Sequence, residues 1–181
     1  MEISNQPNLQ ELDCRYNYEL TTLIITNNPQ LRKIESYGNE RGNLASITLD
    51  GNPRLTEINF MNNQLTNTNF LTNFLNPKKL FRLNISCNNI QPTDIEIFSK
   101  FINIEDLTIG GMNKFYGSFE SWKNLTKLNS ICIETTDINE GLEYLPFSLR
   151  LMGMYCSPAG TNAKCRVIQD ELKPFNYDVG A

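Results

Sequence analysis

The residues able to do chemistry are few and poorly placed for it. The 181-residue chain has no histidine, which removes the commonest general base and most zinc and haem ligation schemes. Neither a Ser–His–Asp nor a Cys–His unit can be assembled from it. Five cysteines occur, Cys14, Cys87, Cys132, Cys156 and Cys165, mostly scattered. Cys156 and Cys165 alone lie close together, flanking a turn. They would staple it as a disulfide or pack it as thiols, and thiols are the favoured reading. No further ligands accompany them, so no metal site is expected. Cys14 falls at an inward strand position. Cys132 falls at an outward one, as a surface thiol without an adjacent base. The close carboxylates, Glu11 with Asp13 and Asp137 with Glu140, read as solvated charges. Gly110-Gly111 lacks the flanking pattern of a phosphate loop and reads as a bend after a strand. Asn84-Ile85-Ser86 and Asn124-Leu125-Thr126 match the glycosylation sequon, but with 25 asparagines in the chain chance matches are expected. The expectation is no enzyme, no cofactor and no metal.

Composition narrows the partners. A net charge of −4 and no visible basic stripe argue against nucleic acid. No apolar run approaches the roughly 18 residues that would cross a bilayer. The opening MEISNQPNLQ has no basic and no apolar region of a signal peptide. A cytoplasmic location with reduced thiols is the expectation.

The elements that position these residues come from a repeat. Aliphatic, two residues, aliphatic, one residue, aliphatic, two residues, Asn recurs as LQELDCRYN from Leu9, LRKIESYGN from Leu31, LTEINFMNN from Leu55 and LFRLNISCN from Leu80. It continues as IEDLTIGGM from Ile104 and LNSICIETT from Leu128, with a degenerate LRLMGMYCS from Leu149. Starts are 21 to 25 residues apart, the spacing and pattern of leucine-rich repeats. Within each copy the alternation of a strand sends apolar side chains inward and variable ones outward. The asparagine turns inward to bond loop backbone that would otherwise be buried unpaired. Asn17, Asn39, Asn63 and Asn88 hold this ladder position, while Met112 and Thr136 depart from it.

A second copy is interleaved early, LTTLIITNN from Leu20 and LASITLDGN from Leu44, each followed by Pro (Pro29, Pro53). These leave no room for a helix and predict short strands on the back. Later back segments, near 67–74, 92–101 and 117–125, carry helical spacing, clearest at Ile95, Phe98, Phe101 and Ile102. Pro92 and Asp94 suit a helix start. Met1 to Asn8 is too short and polar to cover the first turn, so a native N-terminal cap is expected to be missing. At the other end, AKCRVIQDELKPF predicts a short capping helix ended by Pro174.

These residues resemble a known group. The stretch from FSKFINIEDL to GLEYLP, and the cysteine-bearing YCSPAGTNAKCRVIQDELKPF, are similar to a large expanded group of fungal leucine-rich-repeat proteins, and the early half-repeats resemble repeats with a nested 21-residue period. Trp122, Phe147 and Leu151 depart from the group's pattern. The resemblance implies a protein-interaction module, sometimes beside a kinase or other signalling domain.

The expected fold is therefore an α/β repeat solenoid: a horseshoe with a concave parallel sheet of about seven strands, convex strands early, short helices late and a C-terminal helical cap. Residues 1–155 form the solenoid and 156–181 the cap. The outward rows run from Glu11, Asp13 and Arg15 through Ser86, Gly110 and Cys132 to Leu151, Gly153 and Tyr155. Aromatic residues, Met and Arg most often anchor interfaces. The expected partner-binding residues are Arg15, Tyr16, Lys33, Tyr37, Glu57, Met61, Arg82, Asn84 and Asp106, with a hot spot at Tyr16, Tyr37, Met61 and Arg82. The function this supports is a non-enzymatic, intracellular protein–protein scaffold. The alternatives are the ectodomain of a surface receptor or a regulatory segment of a kinase-type protein.

Overall fold

A computed structural model describes residues 1–38, 42–146 and 149–151. Among them the strands are β1 (Glu2–Ser4), β2 (Glu11–Asp13), β3 (Thr22–Thr26), β4 (Lys33–Glu35), β5 (Ser46–Thr48), β6 (Glu57–Asn59) and β7 (Arg82–Asn84). Then come β8 (Thr93–Asp94), β9 (Asp106–Thr108), β10 (Phe115–Ser118), β11 (Ser130–Cys132), β12 (Asp137–Glu140) and β13 (Arg150–Leu151). All pairings are parallel, and one sheet of seven strands runs β2-β4-β6-β7-β9-β11-β13. Its central row, Ile34, Ile58, Leu83, Leu107 and Ile131, is buried. One apolar side chain between two polar ones in each three-residue strand is what holds that row inward.

Behind this sheet lie two smaller ones, β1-β3-β5 early and β8-β10-β12 late. The early strands are the interleaved half-copies. Residues expected to leave the first turn bare also contribute, since Glu2–Ser4 pairs with Ile24–Thr26. The late back segments differ from the expected helices. Segments 92–101 and 117–125 are each a short strand followed by one four-residue 3-10 turn, Ile95–Phe98 and Phe119–Trp122, and 67–74 holds the three-residue 3-10 turn Asn69–Leu71 without a strand. Four residues are too few for an α-helical nucleus to propagate, so the segment stays in the tighter form. Asp94 caps the first of these turns by accepting from the Glu96 N–H at 2.8 Å.

The interior changes along the stack. Cys14 and Ser36 fill the third inward slot in the first two copies, where Phe60, Ile85, Ile109 and Ile133 fill it later. Toward the far end, Phe98 meets Phe115 edge-on at 5.3 Å and Trp122 at 6.2 Å, and Phe119 meets Trp122 at 5.0 Å. Such pairs add to the value of burying the rings. The Trp122 indole N–H donates to the Ile95 carbonyl at 2.9 Å, so its polar atom is satisfied.

The asparagine ladder ties neighbouring turns together. The Asn63 amide donates to the carbonyls of Ser36, Phe60 and Met61, and its oxygen accepts from the Leu44 N–H. Asn88 repeats this with Phe60, Ile85, Ser86 and the Leu65 N–H. The ladder does not lapse at Met112 as expected. Asn113 takes the place one residue later, donating to Ile85, Ile109 and Gly110 and accepting from Ile90 N–H. The Gly110-Gly111 bend absorbs the extra residue: a Cβ at Gly110 would stand 2.7 Å from Glu134 backbone. Thr136 keeps its place with a hydroxyl, donating to Ile133 O at 2.7 Å. Asn28 and Asn52 form a matching pair on the early back. Asn39 and the predicted cap at 156–181, with Cys156 and Cys165, lie outside the described residues.

Just before each described ladder residue stands one left-handed residue. Tyr16, Asn27, Gly51, Asn62, Cys87, Met112 and Thr135 all have φ between +52° and +71°. Asn and Gly tolerate that region; Tyr, Cys, Met and Thr are strained in it. Part of the asparagine abundance is explained here, since in Asn27-Asn28 and Asn62-Asn63 the first residue makes the bend and the second the ladder.

A candidate partner-binding face

The outward positions of the seven-stranded sheet fall into rows because the register holds without slippage. Strand pairing aligns Glu11, Lys33, Glu57, Arg82, Asp106 and Ser130 in one row, and Asp13, Glu35, Asn59, Asn84, Thr108 and Cys132 in the other. The first row alternates in charge from Glu11 to Asp106, and adjacent strands stand about 4.8 Å apart. Opposite charges on facing strand positions are mutually favourable.

Two groups form on this face. In the first, the exposed Arg15 is bound by Asp13, with its Nη2 2.6 Å from Oδ2. Its guanidinium also donates to the Tyr37 hydroxyl at 3.0 Å and lies 5.6 Å from that ring's centre. Tyr16 meets Tyr37 edge-on at 5.9 Å and is 48% exposed. The Arg15 side chain and backbone N–H together hold the Asp13 carboxyl down at about 2. The hydrogen bond with Tyr37 raises the Tyr16 phenol above its ordinary value.

In the second group, Arg82 is held between two carboxylates, 3.3 Å from Glu57 and 3.0 Å from Asp106. These side chains, with Glu35, Asn59 and Asn84, line a shallow depression of about 260 Å³. Lys33 pairs with Glu35 at 3.0 Å, which raises the lysine above its ordinary value. Met61 is half-buried beside Asn84, whose amide nitrogen lies 3.7 Å from its sulfur. The expected hot spot thus divides: Tyr16 and Tyr37 touch each other, while Met61 and Arg82 belong to the neighbouring group.

Several expected outward positions are not on the face. Ser86 is fully buried, because Asn84 accepts from its N–H and from its hydroxyl at 2.7 Å and turns the chain inward. This commits the Asn84 oxygen and leaves its sequon in a closed turn. Cys132 is 2% exposed rather than a surface thiol. The glycine on the neighbouring strand lets the chain approach, and a Cβ there would come within 3.2 Å of the cysteine sulfur. Gly110 is itself buried. The Leu151 backbone pairs with that of Ile131, one residue off the spacing of the earlier copies. Gly153 and Tyr155 lie outside the described residues.

Sequence reasoning missed the local role of the second row. Asp13, Asn59 and Asn84 each accept from the backbone N–H two residues ahead, at 3.1, 3.2 and 3.1 Å. Asp or Asn recurring as the fifth residue of the copies was the available signal. Among the described residues no cluster of His, Cys, Asp and Glu could hold a metal, and no helix is long and apolar enough to cross a membrane.

No family model matches the chain, and no curated protein matches it. It is similar to the crystal structure of an internalin from Listeria monocytogenes, with a TM-score of 0.51 and 16% identity. The match covers 77% of this chain and 49% of the internalin, so the chain spans about half of that protein's length. With its parallel sheets and repeating turns, the fold is of the leucine-rich-repeat type.

Proposed function

We propose that this chain is a non-enzymatic scaffold that binds another protein on the outer face of its seven-stranded sheet, the concave face of a leucine-rich-repeat horseshoe. The observation that carries this is the register. It brings Arg15, Tyr16, Lys33, Tyr37, Glu57, Met61, Arg82, Asn84 and Asp106 onto one continuous surface that the fold itself does not need for its core. Residues 1–155 are the solenoid of this reading and 156–181 its cap. The resemblance to the expanded fungal repeat proteins supports an intracellular signalling or adaptor role.

The test is a pull-down from native lysate, comparing the chain with a Tyr37→Ala/Met61→Ala/Arg82→Ala variant whose fold is checked by circular dichroism. Proteins retained by the parent and lost by the variant support the reading. Proteins retained equally by both overturn the choice of face.

A second reading is a ligand-binding ectodomain. It is favoured by one observation: Cys87, after β7, is a disulfide cysteine, and disulfides persist in oxidising compartments. Thiol labelling of the chain isolated from its source without reductant separates the two. Cys87 modified at once supports the cytoplasm; Cys87 protected until reduction supports export.

A further inference from the structure

We infer that the segment received by this face is basic: part of a protein partner whose arginine or lysine side chains seat against Glu35, Glu57 and Asp106. This rests on the reading of the sheet as a binding face, and it adds the chemistry of the occupant. From β2 to β9 the face carries five carboxylates, Glu11, Asp13, Glu35, Glu57 and Asp106, against three cations, Arg15, Lys33 and Arg82. All three cations are already engaged, Arg15 by Asp13, Lys33 by Glu35, and Arg82 by Glu57 and Asp106. An acidic partner would have to draw Arg82 away from two carboxylates and Lys33 from a third before gaining anything. A basic partner breaks no ion pair and meets an excess of acceptor oxygens, because one guanidinium cannot fill all the lone pairs of two carboxylates.

The shape agrees with the charge. The depression around Arg82 is lined by three carboxylates and one cation, and its 260 Å³ is open to solvent on the outer side. At the neighbouring end of the face stands an aromatic pair. Arg15 lies against the Tyr37 ring there, so the site displays the stacking that a second guanidinium would use on the exposed Tyr16.

The probes are fluorescein-labelled nona-arginine and nona-glutamate, read by fluorescence anisotropy at low and physiological salt. Nona-arginine is expected to bind the parent chain and to weaken by about tenfold in Glu57→Gln/Asp106→Asn. A control double variant at exposed back-side carboxylates, Glu96→Gln/Glu120→Gln, is expected to change affinity by no more than about twofold. Equal weakening in both variants would mean diffuse attraction to an acidic protein and overturns the inference, as does preference for nona-glutamate. A further arm separates the inference from the reading beneath it. Nona-arginine should elute proteins that the Tyr37/Met61/Arg82 variant fails to capture. If such proteins stay bound under nona-arginine, the face binds but not by basic residues. If the variant captures everything the parent does, the face itself is the wrong surface.

Discussion

The two ends of this stack reach the same outline by different means. In the first turns, two strand layers face each other across a thin interior whose third slots hold only Cys14 and Ser36. Burial raises the Cys14 thiol above its ordinary value, with Ser36 partly offsetting this by hydrogen bonding. Amides close the back there, through Asn28 and Asn52. In the later turns the back swells into 3-10 turns that hold Phe98, Phe119 and Trp122, packed with Phe115 of β10. The difference shows what each copy must solve. A thin turn has little apolar area to bury and leans on backbone bonding; a thick one has room for rings and leans on packing.

The comparison can be broken most strongly at its thick end. Phe98→Ala removes a fully buried ring with two aromatic neighbours, and should lower unfolding stability by about 3–5 kcal/mol. Urea denaturation followed by Trp122 emission measures it, Trp122 being the chain's one tryptophan. A loss below about 1 kcal/mol would mean that the aromatic back is not what holds these turns.

The ladder should be worth less per residue and similar at both ends. Asn52→Ala and Asn88→Ala each strand buried carbonyls and should cost about 1–3 kcal/mol. A much smaller cost at Asn52 would show that the early back is closed by its strands rather than by its amides.

The smallest effect is a gain. Met112 is 66% exposed, and its φ of +60° is costly for its side chain. Met112→Asn should raise the urea midpoint by the equivalent of about 0.5–1 kcal/mol. Tyr16→Asn relieves the same backbone but gives up the Tyr37 ring contact, so its gain should be smaller. An equal gain at both sites would mean that the tyrosine pair contributes nothing to the free protein.

The repeat was legible because two periods reinforce one another: alternation within each strand and a spacing of 21 to 25 residues between copies. Together they placed the inward row from Ile34 to Ile131 on one side. What escaped was whatever depends on single-residue offsets. The step from Met112 to Asn113 is invisible to a fixed template, since only the glycine bend reveals where the extra residue goes. Cys132 and Ser86 alternate like surface residues and are covered for reasons on neighbouring elements, a missing side chain in one case and a local turn in the other. The late back segments carry helical spacing but too few residues per copy to become helices. The nine face residues were named from alternation and from the residue types that anchor interfaces, with Tyr16 added as a neighbour. Their division into a tyrosine–arginine group and a carboxylate-clamped arginine depends on side-chain reach across strands, which no spacing rule contains.

The ladder also sets how this protein ages. Each of Asn63, Asn88 and Asn113 points its amide nitrogen at carbonyl oxygens from two turns. Direct hydrolysis of that amide to aspartate consumes one water, releases ammonia and puts an oxygen of nearly the same size where the nitrogen stood, so lone pairs come to face lone pairs. Among all changes that leave volume untouched, this loss of one ammonia converts a rivet between turns into a point of repulsion. The stacking that leaves these three side chains 6%, 3% and 1% exposed is therefore also what shields them from water.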